Sequence, residues 1–154
     1  MKLPKYPLAS SDNMMTFEFI SEGPKGLIYK HVRFQPTNLH DVYNLAFGDK
    51  DHLTGNIDDM VISNNGDGEK VLASVISTIY AFTDKFPNAW IYATGSTKSR
   101  TRLYRMGITK FLSEAEENFE ILGERNDEWE TFRQNIEYES FLVRRKKIKQ
   151  IINN

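Results

Sequence analysis

The sequence has no cysteine. That excludes a disulfide scaffold, a thiol nucleophile and any zinc site with sulfur ligands. It also lacks a dominant charge. Twenty Lys and Arg stand against 21 Asp and Glu, a formal net charge of -1, so bulk electrostatics do not make the chain a nucleic-acid binder. No apolar run approaches the ~20 residues that cross a bilayer. The start, Met1-Lys2-Leu3-Pro4-Lys5-Tyr6-Pro7, lacks the apolar centre of a secretory signal. A cytoplasmic protein without a membrane partner is therefore expected. There is no Gly-x-Ser-x-Gly elbow to support a serine hydrolase. There is no Walker P-loop either, because Thr97 and not glycine precedes Lys98.

What is present suits one ordinary domain over residues 1–154. At 154 residues, with 40% hydrophobic and 12% aromatic side chains, the chain can bury roughly 70% of its unfolded surface. Residues 1–14, with Pro4, Pro7 and Ser10-Ser11-Asp12-Asn13, read as an extended arm. Residues 144–154 read as a basic tail. Between them, Phe17 and Phe19, then Ile28 to Phe34, alternate around Glu22-Gly23-Pro24-Lys25-Gly26 as a hairpin. Their aromatics suit the core face of a sheet, or else a stacking platform for single-stranded nucleic acid. Val42–Phe47 and Ile57–Ser63 read as third and fourth strands. Val71, Leu72, Val75, Ile76, Ile79, Tyr80 and Phe82 then recur at helical spacing. That helix, ended by Pro87, is expected to be the most buried element, with Ile76 in the core. Trp90–Thr94 reads as a strand, 97–117 as one helix, and Phe119–Leu122 and Tyr138–Val143 as the last strands.

The order ββββαβαββ predicts an α+β fold: a mixed sheet opening with an antiparallel meander, and two crossover helices on one face. Strands 57–63, 90–94 and 119–122 should then be parallel, and both helices should start at one sheet edge. Open sheets hold ligands at such edges. One corner there is Asn64-Asn65-Gly66-Asp67-Gly68 and the other is Thr94-Gly95-Ser96-Thr97-Lys98-Ser99-Arg100. The second joins a glycine turn and hydroxyls to a helix N-terminus, whose N–H groups and dipole favour an anion. Lys98, Arg100, Arg102, Arg105 and Lys110 add five positive charges with no acid between Ser96 and Lys110, and Lys98, Arg102 and Arg105 share a helix face. The acids follow as a block from Glu114 to Glu130. Candidate ligand-binding residues are Asn64, Asn65, Asp67, Gly95, Ser96, Thr97, Lys98 and Arg100. Arg100 could instead pair with Asp67 across the corners. Asp49, Asp51, Asp58, Asp59 and Asp67, with His52 nearby, match no metal-ligand spacing, so no metal is assigned. His31, His40 and His52 are scattered.

Two resemblances follow from longer stretches. Phe17 to Gly26, Tyr43 to Asp49, Asn64 to Asp67, Gly95 to Thr97 and Arg100 to Tyr104 together resemble a family of small bacterial proteins of unknown function, over about Tyr6 to Val143. That implies one intact domain. Thr101-Arg102-Leu103-Tyr104-Arg105-Met106-Gly107-Ile108 is similar to the late helix of the GCN5-related N-acetyltransferases, where a Leu-Tyr pair precedes a Gly and an apolar residue. This second resemblance implies coenzyme A pyrophosphate at the Asn64–Gly68 corner and Tyr104 as general acid. In that alignment Ser63 stands where the family carries Gln or Arg, and the two early helices are missing.

Three functions are consistent with these residues. The leading one is recognition of a phosphate-bearing nucleotide or nucleic acid at residues 64–68 and 95–100. The second is acyl transfer with coenzyme A, and the third a protein-interaction module, for instance one of a bacterial regulatory pair, contacting its partner through the acid block. No cofactor is assigned.

Overall fold

The computed structural model describes residues 4–50, 54, 57–58, 65–95 and 97–147. The arm contributes a two-residue strand, β1 (Ala9–Ser10), against β2 (Thr16–Gly23). β2 and β3 (Gly26–Pro36) form the expected hairpin around Pro24 and Lys25, and β4 (Val42–Lys50) continues the meander antiparallel to β3. β6 (Trp90–Ala93) lies parallel to β4, and every other pairing among the described residues is antiparallel. The sheet is therefore mixed. Among the described residues it has nine strands, in the order β1-β2-β3-β4-β6-β9-β7-β8, with β5 (Ile57–Asp58) paired to β4 off this path.

Alternation decides which side chains meet the helices. Phe17, Phe19, Val32, Phe34, Leu45 and Phe47 share the inward face and are at most 4% exposed. They are core residues, not a stacking platform. α1 (Gly68–Lys85) lies on that face, with Phe82 stacked on Phe34 at a centroid distance of 4.2 Å. Its packing differs from the expected pattern. Val71, Val75, Thr78 and Phe82 are buried, whereas Leu72, Ile76 and Ile79 are only half-buried. Ser74, Thr78 and Thr83 sit fully in the interior because each hydroxyl bonds back to a carbonyl of its own helix.

Three further expectations are corrected. The helix read over 97–117 is two: α2 (Lys98–Lys110) and α3 (Leu112–Asn118), separated at Phe111. β5 runs antiparallel to β4, so the crossover through α1 joins β4 to β6 and does not start from the fourth strand. Residues 59–63 of that expected strand lie outside the described residues. β6 and β7 (Phe119–Arg125) do run parallel, but β9 (Ser140–Arg145) lies between them, antiparallel to both. β8 (Glu128–Thr131), which sequence patterning did not suggest, closes the sheet against β7.

β9 runs through Arg144 and Arg145, which bind Glu120 and Asp84, so these two basic residues belong to the sheet. No helix among the described residues is long and apolar enough to cross a membrane.

Candidate functional site

β2, β4 and β6 point the same way, and α1 and α2 both begin at the edge where these strands end. The two corners at that edge differ in chemistry.

At the α1 corner the polar side chains bind one another. Asn65, 2% exposed, accepts from the Lys25 N–H at 2.7 Å and donates to Gly26 O at 2.9 Å and Ser21 Oγ at 3.1 Å. This pins the hairpin turn to the start of α1. Gly23 makes the approach possible, since a Cβ there would overlap the Asn65 carbonyl. Asp67 accepts from Tyr6 Oη at 2.6 Å and Ser21 Oγ at 2.5 Å. Burial, together with this carboxylate, pushes the Tyr6 phenol above its ordinary value. With Asp67 and Glu69 beside it, the positive end of α1 already faces negative charge.

The α2 corner is the reverse. Thr97 is the N-cap, and its Oγ1 accepts the Arg100 N–H at 3.1 Å. The N–H groups of Lys98 and Ser99 belong to the set a helix leaves without an intrahelical partner. No acid stands in this first turn; Lys98 and Arg100 do. Gly95 is required by close approach, because a Cβ there would lie 2.3 Å from the Thr101 nitrogen. Its own N–H donates to Thr101 Oγ1 at 3.0 Å, which ties the end of β6 to the first turn of α2.

Beside this turn lies a cleft of about 680 Å³, lined among others by Thr97, Lys98, Ser99, Arg102, Arg105 and Glu137. The structure thus gathers Gly95, Thr97 and Lys98 around one space and adds Arg102 and Arg105 from the same helix face. Glu137 reaches Arg105 at 3.9 Å and is 94% exposed at its side chain. It comes from the segment before β9 and carried no local signal in the sequence. Thr101 was missed for a similar reason, since its role as acceptor for Gly95 depends on the turn's geometry.

Arg100 points elsewhere. It is 3% exposed, with its guanidinium 4.9 Å from the Phe47 ring centroid. Phe47 stacks on Phe19 at 6.5 Å and Phe19 on Tyr6 at 5.9 Å. An aromatic row therefore links the two corners, with Arg100 at one end and Asp67 at the other. Nearby, the buried Lys30 ammonium binds Asp49 at 2.5 Å. Asn64 and Ser96 lie outside the described residues, as do Asp51, His52 and Asp59. Among the described residues no cluster of His, Asp and Glu could hold a metal ion. Part of the acid block is engaged internally: Glu120 binds Arg144, Glu124 accepts from Ser140, and Glu130 binds Arg125 and Arg133.

The molecule is an α+β protein whose mixed sheet carries its helices on one face and a cationic cleft at the edge. It belongs to DUF6934, a family of unknown function, whose sequence profile matches residues 2–146. No curated protein and no solved structure matches the chain.

Proposed function

We propose that the protein binds an anionic, phosphate-bearing ligand in the cleft at the start of α2. The observation that carries this is the sign of the charge at that helix end. Helices are ordinarily stabilised by acids in the first turn. α2 instead presents Lys98 to the cleft there, with Arg102 and Arg105 further along the same face and the N–H groups of its first turn at the tip. A dianionic phosphoryl group would satisfy the N–H groups and neutralise the cations together. Asn65 and Asp67 serve this reading indirectly, by fixing the neighbouring corner. The experiment is thermal unfolding with inorganic phosphate and with ADP. Both should raise the Tm, less so at high salt, and Lys98→Ala/Arg102→Ala should lose most of the rise at an unchanged ligand-free Tm. An undiminished response in that double variant would overturn the assignment.

A further inference from the structure

The cations of the α2 cleft do not end with the first turn. Lys98, Arg102 and Arg105 follow one another at steps of four and three residues. Neighbours at such steps leave the helix about 5–6 Å apart, and the row covers roughly 10 Å of its length. At Arg105 a second cleft begins, of about 520 Å³, bordered by Met106, Thr109, Asn135 and Glu137. Arg105 and Glu137 line both clefts, so the two run on from one another along α2. The facing wall comes from the chain that leads into β9, with Glu137 and Glu139 beside the first cleft and Asn135 beside the second. Together they make a trough with a cationic row on one side.

Pairing, spacing and the change of lining say what fits it. Arg125 and Arg133 both bind Glu130, Arg144 binds Glu120 and Arg145 binds Asp84. Lys98 and Arg102 have no carboxylate partner among the described residues, and Arg105 has only the distant, exposed Glu137. An outside anion would therefore displace little. The two phosphates of ADP share a bridging oxygen and sit too close together to occupy the whole row. Phosphates set a sugar apart can take one cation each. Past Arg105 the lining turns to Met106, 53% exposed, with Thr109 and Asn135, while Lys110 is held by Glu69. Apolar and hydrogen-bonding surface of this kind suits a sugar and a base. A groove that tracks a charged backbone and offers such contacts beside it is how single strands are held.

We infer that this trough binds single-stranded nucleic acid, with backbone phosphates on Lys98, Arg102 and Arg105 and the next nucleotide against Met106, Thr109 and Asn135. The inference rests on the phosphate reading above and extends it from a mononucleotide to a strand. The test is fluorescence anisotropy of the full chain with labelled hexathymidylate and hexauridylate, which separate DNA from RNA as the source, and with ADP as competitor. The tighter strand should bind about tenfold more strongly than ADP, because its phosphates are linked. Its log K should fall with log salt at a slope of about -2, the value for three neutralised phosphates on a single strand. Thr109 is exposed, and Thr109→Glu sets a negative charge in the second cleft. That variant should weaken the strand severalfold and leave the ADP response alone, and uncharged Thr109→Gln should do neither. Should Thr109→Glu fail to fold, Asn135→Asp brings the same charge from the facing wall. A strand no tighter than ADP, an unchanged strand affinity in the folded charge variant, or a hexaglutamate peptide binding as tightly would each overturn the inference. An ADP response lost in Lys98→Ala/Arg102→Ala would then still uphold the anion cleft, whereas silence toward phosphate, ADP and both strands would overturn both readings.

Discussion

Arg100 shows how a residue can be placed correctly along the chain and still face the wrong way. Its position in the first turn of α2 suggested a ligand contact, and its side chain instead lies against Phe47, 3% exposed. Cation–π contact with a desolvated ring contributes up to ~2 kcal/mol. Arg100→Ala should therefore lower the ligand-free stability by about 2 kcal/mol, read by urea unfolding, while the response to phosphate persists. His31 gives a second expectation. It is 5% exposed in the middle of β3, and neither ring nitrogen has a hydrogen-bond partner among the described residues. Burial holds its pKa below the ordinary 6.5, against the pull of Glu18 and with help from Arg33 and Lys50. The unfolded chain then binds the proton more readily, so His31 favours folding above about pH 6.5 and loses that contribution as pH falls through its folded pKa. Urea midpoints should drop between pH 7.5 and 5.5, and His31→Gln should flatten the drop.

At the scale of elements, α1 and the meander were legible because their side chains repeat with the right period and face one large partner surface. Phe17, Phe19, Phe34 and Phe82 all fell where alternation or helical spacing put them. The core face of α1 was read too broadly. Helical spacing marks which residues are apolar, not how deeply each is covered, and Val75 is buried where its neighbour Ile76 is only half-buried. Phe82→Ala should cost about 3–5 kcal/mol, as for other buried aromatics, and Ile76→Ala only about 1 kcal/mol, both measurable by chemical denaturation. The break between α2 and α3 was hidden because Phe111 and Leu112 continue the apolar pattern across it. The cationic half of the candidate site was visible in the run from Lys98 to Arg105. Glu137 and Thr101 were not, since they reach it only through the return of the chain before β9 and the fold-back at Gly95.

Across the whole molecule, the pairing of β9 decides how the halves are joined. β6 and β7 are held on either side of it, through Trp90↔Arg144 to Ala93↔Phe141 on one flank and Phe119↔Arg145 to Glu124↔Ser140 on the other. Phe141, fully buried, is shared by both. A chain ended at Glu139 should therefore lose cooperative unfolding altogether, with Tyr92 and Leu122 left facing an unfilled lane; circular dichroism and one-dimensional NMR would show it. Sequence periodicity could identify Ser140–Arg145 as a strand but not its place, because both flanks of a strand carry the same backbone groups and only the completed sheet selects between them.

That placement also sets a direction for biosynthesis. The ribosome delivers β2, β3 and β4 early, and these neighbours in sequence are neighbours in space, so the meander can assemble while translation continues. The slot between β6 and β7 must wait for a strand made after both of them. During that interval the nascent chain exposes two strand edges and the underside of α2 and α3, a window in which chaperones or a misplaced strand from another molecule would compete for the lane that β9 eventually occupies.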